Sequence, residues 1–250
     1  MDHARLHLDI MRLKKIKRNP ALVEKQYNSG WWNRDYDSID FENLFGNFVN
    51  DQAERMMTRN GKIFWGERRK FVNEYYSQIF NILEECKCND VVELGCGLGH
   101  MLFQIRKRYD WNLSGYDISD NAVSMLQRYS TEKNYNITFG VHDLNTPFTD
   151  ELKGKIVFTH VCLEQTKHTM SNVIKNIAQG RPKLLINFEV DYKKEPYLVR
   201  SFVDAHDYQN NLIENLEKHM RIISRKKLPL SLSPTTRLSC IISESLSSTR

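Results

Sequence analysis

A glycine-rich turn between an apolar run and a helical pattern constrains this chain more than any other feature. The run Asp90–Leu94 (DVVEL) leads directly into Gly95, Gly97 and Gly99, and helical spacing of apolar residues begins at His100. Glycines allow a sharp turn and let a ligand approach the backbone closely, because no Cβ is in the way. The segment therefore predicts a buried strand, a ligand-binding turn and a helix whose free N–H groups face the ligand.

Strand-like and helical stretches alternate on both sides of that turn. Apolar runs predict strands at residues 90–94, 112–118, 136–141, 155–162 and 183–190. Helical spacing predicts helices at residues 70–85, 100–109, 120–131 and 170–179, the third with Ser119 or Asp120 as its N-cap. This alternation implies right-handed crossovers between parallel strands, with helices on both faces of the sheet. Ligands of such sheets bind beyond the carboxyl ends of the strands.

The last part of the chain extends the pattern. It predicts a helix at residues 197–219 and strands at residues 220–226 and 237–243, with the turn-rich residues 230–236 between those strands. The expected class is therefore α/β, a doubly wound and mostly parallel seven-stranded sheet. A C-terminal antiparallel edge hairpin and a helical N-terminal extension complete it.

Two kinds of ligand compete for the glycine turn. A dinucleotide site needs the spacing G-x-G-x-x-G, but here Gly99 comes one residue early and His100 occupies a place that must stay small. The carboxylate of Glu93, two residues before the first glycine, would also repel a pyrophosphate. A cationic ligand would instead be attracted by it, so the turn favours a cation-bearing ligand.

The spacing E-x-G-x-G-x-G from Glu93 to Gly99 resembles the first motif of the class I S-adenosylmethionine-dependent methyltransferases. That family has a Rossmann-like fold, and its donor carries a sulfonium and an α-ammonium. The resemblance implies that Asp117, after the second strand, accepts hydrogen bonds from the ribose, although an acid there also suits a dinucleotide or a helix cap. Asp143, after the third strand, would bind the adenine amino group or simply form a turn.

The loop after the fourth strand also resembles the family. It corresponds to the loop that flanks the methionine part of the donor, where the family often has L-E-H and this chain has Gln165 in place of the histidine. The residues expected to bind S-adenosylmethionine are Glu93, Gly95, Cys96, Gly97, Gly99, Asp117, Ile118, Asp143, Leu144 and His160.

A base is needed if the methyl acceptor is a hydroxyl, whereas a neutral amine needs only an exposed lone pair. Glu164, His168 and Glu189 are the expected catalytic residues, because they follow the fourth and fifth strands. Alternatively, Glu164 is an acid in the first turn of a helix, His168 is a solvated loop residue and Glu189 is a surface charge at a strand end. Further candidates are His160, Asp191, His206 and Asp207.

Missing motifs narrow the class of acceptor. The chain has no [NDS]-P-P-[YF] loop after the fourth strand and no Pro-Cys pair, which argues against methylation of nucleic-acid bases. Only one glutamate, Glu164, follows that strand, unlike the pair in arginine methyltransferases. His160 and residues 187–189 stand where catechol-type enzymes hold a metal, so no metal is expected. A small-molecule acceptor follows, methylated on oxygen or nitrogen in a sugar or a secondary metabolite.

Two rival functions stay open at this point. The formal net charge of +5, from 36 basic and 31 acidic residues, is mild. It is weaker than a dedicated nucleic-acid binder usually shows, but it would suit a protein or RNA methyltransferase. A cofactor-binding partner subunit without catalysis is the other rival, and the complete set of acids and glycines weighs against it.

Composition places the chain in the cytoplasm. The five cysteines have irregular spacing, which argues against a disulfide framework, and neither a signal-peptide pattern nor a membrane span is visible. Residues 1–70 are expected to form a helical, aromatic cap and residues 71–250 the S-adenosylmethionine-binding domain. Trp31 and Trp32 in that cap would either wall a small substrate or hold the cap in place.

Overall fold

The apolar runs of the central zone form the parallel strands of one sheet. A computed structural model describes residues 20–26, Tyr36 and residues 53–246. The strands of its main sheet are β3 (Asp90–Leu94), β4 (Asn112–Asp117), β5 (Ile137–Val141), β6 (Ile156–His160), β7 (Leu184–Val190), β8 (Met220–Lys227) and β10 (Leu238–Ser245). Their order is β5-β4-β3-β6-β7-β10-β8. Strands β3 to β7 pair in parallel, and β10 runs antiparallel between β7 and β8. The expected seven-stranded α/β sheet with an antiparallel C-terminal edge is confirmed.

Helices cover both faces of this sheet. They are α2 (Arg69–Glu85), α3 (His100–Arg106), α4 (Asp120–Glu132), α5 (Met170–Gln179), α6 (Tyr197–Ala205) and α7 (Leu212–His219); a further helix, α1 (Pro20–Gln26), precedes them in the chain. One core cluster holds the apolar faces of α2, α3, α4 and α6, and a second holds those of α5 and α7. Ser119 is the N-cap of α4, as its side chain accepts a hydrogen bond from the Ala122 N–H at 3.2 Å.

Residues 54–67 form a β-hairpin, so the expectation of a helical segment is wrong for this stretch. Strands β1 (Glu54–Arg59) and β2 (Lys62–Glu67) pair antiparallel across Asn60 and Gly61, whose φ angles are +48° and +82°. Two residues with positive φ fit the right-handed twist of the flanking strands, which makes Asn-Gly a strong hairpin signal. The tryptophans at positions 31 and 32 lie outside the described residues.

The hairpin belongs to a second, three-stranded sheet near the carboxyl ends of the main strands. The short strand β9 (Leu230–Ser231), which follows β8, pairs antiparallel with β1. The Gln78 side chain on α2 binds the Leu230 main chain on both sides, donating to its carbonyl at 2.7 Å and accepting from its N–H at 3.2 Å. The small sheet is therefore attached to the main domain through α2 and the segment between β8 and β10.

The helix expected at residues 197–219 is interrupted, so its continuous form is also wrong. Helices α6 and α7 are separated by residues 206–211, where Asp207 has a φ of +53°. Gln209 is buried in this break, donates to the Val190 carbonyl at 2.8 Å and accepts from the Leu212 N–H at 3.1 Å. Its amide thus joins the end of β7 to the start of α7. Within the described ranges, no helix has the length and hydropathy that a bilayer crossing needs.

Candidate functional site

The glycine turn lies at the carboxyl end of β3 and is bound to the end of β4. Gly95, Gly97 and Gly99 all have positive φ angles, of 68°, 53° and 67°. The N–H groups of Gly95 and Cys96 both donate to the Tyr116 carbonyl, at 2.7 and 3.1 Å. A Cβ on Gly95 would lie 1.9 Å from the Cys162 sulfur. The turn therefore requires glycine for its backbone angles and, at Gly95, for space.

Asp117 ends β4 and fixes the middle of the same turn. Its Oδ2 accepts from the Gly97 N–H at 2.8 Å, and its Oδ1 accepts from the Ser119 N–H at 3.0 Å. Burial raises the pKa of the carboxyl group, and these N–H groups oppose that shift. Two carboxylate oxygens offer about four lone-pair positions, so acceptor capacity remains for hydroxyl groups of a ligand.

Glu93 is a buried acid without full pairing. Its side chain is 3 % exposed, and its Oε2 atom has no hydrogen-bond partner. Burial raises the pKa of this carboxyl group well above its usual range, and the nearby charge of Asp117 raises it further. A buried carboxylate oxygen without a partner is costly, because it has lost its water. A cation bound beside the turn would remove that cost.

The residues expected to hold an adenine lie at the ends of β4 and β5. Asp143 forms a local turn, in which its Oδ1 accepts from the backbone and side-chain amides of Asn145, both at 2.9 Å. Leu144 is buried, and Ile118 is half-buried. Val141 is 53 % exposed although it is apolar. The turn interpretation of Asp143 accounts for its contacts, and adenine binding there stays a prediction.

His160 ends β6 and contacts a tyrosine that the sequence pattern treats only as part of an apolar helix face. Its Nε2 lies 2.6 Å from the Tyr75 hydroxyl, and the two rings meet edge to face. Tyr76 contacts His100 in the same way, at 3.1 to 3.2 Å from the ring nitrogens. Desolvation lowers the pKa of both histidines to about 4. Both imidazoles are therefore neutral near pH 7.

The loop after β6 is strained and is held by a buried acid. Val161 has a φ of +54°, which is unusual for a β-branched residue. Glu189, which is 1 % exposed, accepts from the Cys162 and Leu163 N–H groups at 3.0 and 3.1 Å. Burial raises the pKa of Glu189 to about 7, against the effect of those two N–H groups and of Thr159. The acid thus serves as an anchor for the backbone of the loop.

Glu164 and His168, the other two expected bases, lie further along this loop. Glu164 is part of a short 3-10 helix, Leu163–Thr166, and accepts a hydrogen bond from the Gln165 side chain at 3.0 Å. His168 is exposed, and its Nε2 lies 2.7 Å from an Asp207 oxygen. Lys167 binds the other oxygen of Asp207 at 3.0 Å. Glu164 thus has a partner within the loop and His168 has one in the break between α6 and α7, and their catalytic role stays a prediction.

Three buried acids meet around the glycine turn. The charges of Glu189, Asp117 and Glu93, and also that of Glu164, raise the pKa of the Cys162 thiol, after the larger effect of burial. The turn is thus brought together with Asp117 and Glu189, and His160 stands level with Gly95 in the register of β3 and β6. Asp143 and His168 bond instead to Asn145 and Asp207. No group of three His, Cys, Asp or Glu side chains suited to a metal occurs in the described ranges.

Sequence reasoning missed the tyrosines of α2. Tyr75 and Tyr76 occupy helical core positions, and the apolar pattern predicts burial alone. The available signal was chemical, since a buried tyrosine hydroxyl usually finds a hydrogen-bond partner. Two adjacent buried tyrosines next to a predicted ligand edge, with histidines at 100 and 160, therefore implied polar contacts there.

Comparison with known proteins agrees with the site. Residues 91–180 match the family model of a methyltransferase domain, and no curated protein matches the sequence. The magnesium protoporphyrin IX methyltransferase of Synechocystis PCC 6803, solved with bound SAH, is similar in fold. Its TM-score is 0.59 at 15 % identity, over 91 % of this chain and 100 % of that one. A protein from Pyrococcus horikoshii OT3 has a TM-score of 0.57 at 12 % identity, over 83 % and 99 % of the two chains.

A pair of glycine substitutions tests the packing of the turn. Both Gly95 and Gly154 have positive φ, but a Cβ on Gly154 meets nothing within 4 Å. We expect Gly154→Ala to lower the free energy of unfolding by about 1–2 kcal/mol, the cost of left-handed backbone. Gly95→Ala should lower it by about 3 kcal/mol or more, because overpacking adds to that cost. Urea denaturation measures both, and equal effects would contradict the contact with Cys162.

The anchoring role of Glu189 predicts different effects for two substitutions. Glu189→Ala removes the acceptor for two N–H groups and should destabilise the fold by about 2–4 kcal/mol. Glu189→Gln keeps an oxygen there and should cost less. Because the folded-state pKa is raised, the carboxyl contributes stability below its unfolded pKa and loses it as the pH rises towards 7. Urea titrations from pH 4.5 to 7 should therefore show wild type losing stability relative to Glu189→Gln, by at most about 3 kcal/mol.

Proposed function

We propose that this chain, which carries a class I S-adenosylmethionine-dependent methyltransferase domain, methylates a small-molecule acceptor. The observation that carries the proposal is the buried Glu93 carboxylate beside the glycine turn, with one oxygen that has no partner. S-adenosylmethionine, the donor, supplies an electrophilic methyl group and two positive charges. Glu93 and Asp117 give the pocket the negative charge that such a ligand needs.

The chain's own residues divide the work of binding. The glycine turn gives the backbone of the donor close access, and Asp117 keeps acceptor capacity for ribose hydroxyls while it holds Gly97. Asp143 and the exposed Val141 mark the adenine end, at the edge of the sheet formed by β5. We assign the remaining expected residues to the walls of the donor pocket, between Asp117 and the adenine end. They are Cys96, Ile118, Leu144 and His160.

A dinucleotide is the less suitable ligand for this turn. Its pyrophosphate would lie against the N–H groups of the turn, and one of those already donates to Asp117. Two buried acids, Glu93 and Asp117, would repel the phosphates at short range. These charges favour a cationic donor over NAD.

Several features support a small acceptor. The three-stranded sheet of β1, β2 and β9 is attached near the carboxyl edge of the main sheet, the edge at which the site lies. The cations nearest the outer strand ends, Lys227 and Arg237, are paired with the buried Glu195, so they form no open basic stripe. The fold relative from Synechocystis acts on magnesium protoporphyrin IX, a small molecule. The five cysteines are free thiols, which suits the proposed cytoplasmic location.

The donor can be tested by calorimetry. Wild type should bind S-adenosylmethionine and its demethylated product, S-adenosylhomocysteine, and should not bind NAD. Glu93→Gln should weaken binding of S-adenosylmethionine by about 10- to 150-fold, since a hydrogen bond to a charged group contributes about 1.5–3 kcal/mol. Glu85→Gln, on the exposed side of α2, is the matched control and should bind as wild type does. Tight NAD binding without a response to either adenosyl ligand would contradict the proposal.

The size of the acceptor can be tested with methyl-labelled donor and a cell extract separated by molecular mass. With wild type, the methyl label should enter the low-mass fraction. With Glu93→Gln at limiting donor, the amount of label in that fraction should fall sharply. Label in protein or RNA would instead favour the macromolecular alternative. If the donor binds but no fraction gains label, the result would favour the other rival function, a cofactor-binding partner subunit without catalysis.

A further inference from the structure

The three bases expected from the sequence all have partners within the protein. Glu189 is enclosed and holds two backbone N–H groups, and His168 is paired with Asp207. Glu164 lies in the 3-10 helix and accepts from Gln165. A proton acceptor for the reaction must instead touch the acceptor molecule, next to the donor methyl group.

We propose that His160 is the catalytic base and that Tyr75 is the positioning residue that orients its ring. The inference rests on the proposed function and extends it to a substrate class. It implies that the acceptor is a hydroxyl-bearing small molecule, an alcohol or a phenol, because a neutral amine acceptor needs no base.

The sheet places His160 at the right point. In the register of β3 and β6, Leu94 pairs with Thr159, so the next residues, Gly95 and His160, stand at the same level. Asp117 lies on β4, which is on the opposite side of β3. If the ribose binds at Asp117, the donor crosses the glycine turn towards β6, and its reactive end meets His160.

The contact with Tyr75 defines which ring nitrogen is available. Tyr75 is 7 % exposed and lies 2.6 Å from Nε2, whereas His160 keeps partial exposure. The part of the chain that the structure describes gives Nδ1 no hydrogen-bond partner. We assign the ring proton to Nε2, which donates to the Tyr75 oxygen and leaves the Nδ1 lone pair for the acceptor. A hydrogen bond on one ring nitrogen commonly sets the state of the other in this way.

The step balances without another reactant. The acceptor oxygen forms its bond to the methyl carbon while the methyl–sulfur bond breaks and its electron pair goes to sulfur. The hydroxyl proton moves to Nδ1, so a neutral thioether, a methyl ether and an imidazolium result. The positive charge thus passes from the sulfonium to His160, and the net charge of the pocket does not change.

The surroundings of His160 favour this transfer of positive charge from the sulfonium to the imidazole. Tyr75 faces the ring from α2, His100 faces it from α3, and Glu189 on β7 acts on Tyr75. Desolvation keeps the imidazole neutral and able to accept a proton before the reaction. A sulfonium nearby disfavours protonation further, and its loss removes that obstacle. The charge on His160 should therefore respond to whether the bound ligand is cationic at sulfur.

Nuclear magnetic resonance of histidine-labelled protein tests this response without any acceptor. The His160 signal is identified by its absence in His160→Gln and is titrated in the complexes with S-adenosylmethionine and with S-adenosylhomocysteine. We expect the pKa of His160 to be about one unit higher in the second complex, the effect of removing a unit charge at short range. His219, the last residue of α7 and next to the edge strand β8, should titrate identically in both. If both ligands bind and His160 also titrates identically, the assignment fails, whereas failure of both to bind would reject the proposed function itself.

Two variants extend the test to the reaction. With the low-mass acceptor fraction that wild type methylates, and with saturating donor, His160→Gln should slow single-turnover transfer by about 10²- to 10⁴-fold. Tyr75→Phe should slow transfer less and should shift the nitrogen signals of His160 away from the Nε2–H tautomer. Tyr129→Phe, a buried tyrosine on α4, is the control for loss of a hydroxyl. Transfer at the parent rate in His160→Gln would overturn the proposal.

Discussion

The hydrogen bonds between the glycine turn and the end of β4 are the constraint on which the site depends. Tyr116 and Asp117 together receive three N–H groups from the turn, at Gly95, Cys96 and Gly97. They fix the backbone at angles that only glycine adopts easily, and so they set the floor of the pocket. Asp117 is buried to do this, at a cost that its own hydrogen bonds partly offset. One residue thus shapes the turn and keeps lone pairs for a ligand.

A second set of contacts holds the loop on the other side of the turn. Glu189 receives the N–H groups of Cys162 and Leu163, and Val161 donates to the Phe188 carbonyl at 3.1 Å. Residues in sparsely populated backbone regions cost about 1–3 kcal/mol each and persist where their surroundings over-determine them. Val161 is such a residue, directly after His160. The strain therefore lies where the position of one side chain must be accurate.

Buried charge has opposite effects on stability and on binding in this pocket. Glu93, Asp117 and Glu189 all have raised pKa values, because burial disfavours their charged forms. Glu93 shows this cost most clearly, because its Oε2 atom has no hydrogen-bond partner in the free protein. A cationic ligand gives the same charges a favourable partner, so binding should stabilise the protein by mass action. The free-energy cost of burying these acids in the free protein therefore follows from their position in a ligand site.

The sequence by itself determined the strand–turn–helix at residues 90–106, the order of the elements and the acids that follow the strands. Local pattern suffices there, because apolar runs, glycines and helical spacing act between near neighbours in the chain. It also held an Asn-Gly signal for the hairpin at residues 60 and 61, which the helical expectation overlooked. The sequence also identified S-adenosylmethionine as the expected donor, and this identification follows from the same local motif.

Only the tertiary structure decided which side chains meet. Tyr75 and His160 are 85 positions apart, and their contact exists because α2 packs in the same core cluster as β3 and β6. Glu189 looks like a strand-end acid in the sequence, yet the parallel register of β6 and β7 places it beneath the loop after β6. Burial and hydrogen bonding of a polar group depend on neighbours distant in the chain, and no periodicity along the chain encodes them. The resemblance to methyltransferases was therefore readable from spacing, whereas the contacts of individual acids and bases required the packed fold.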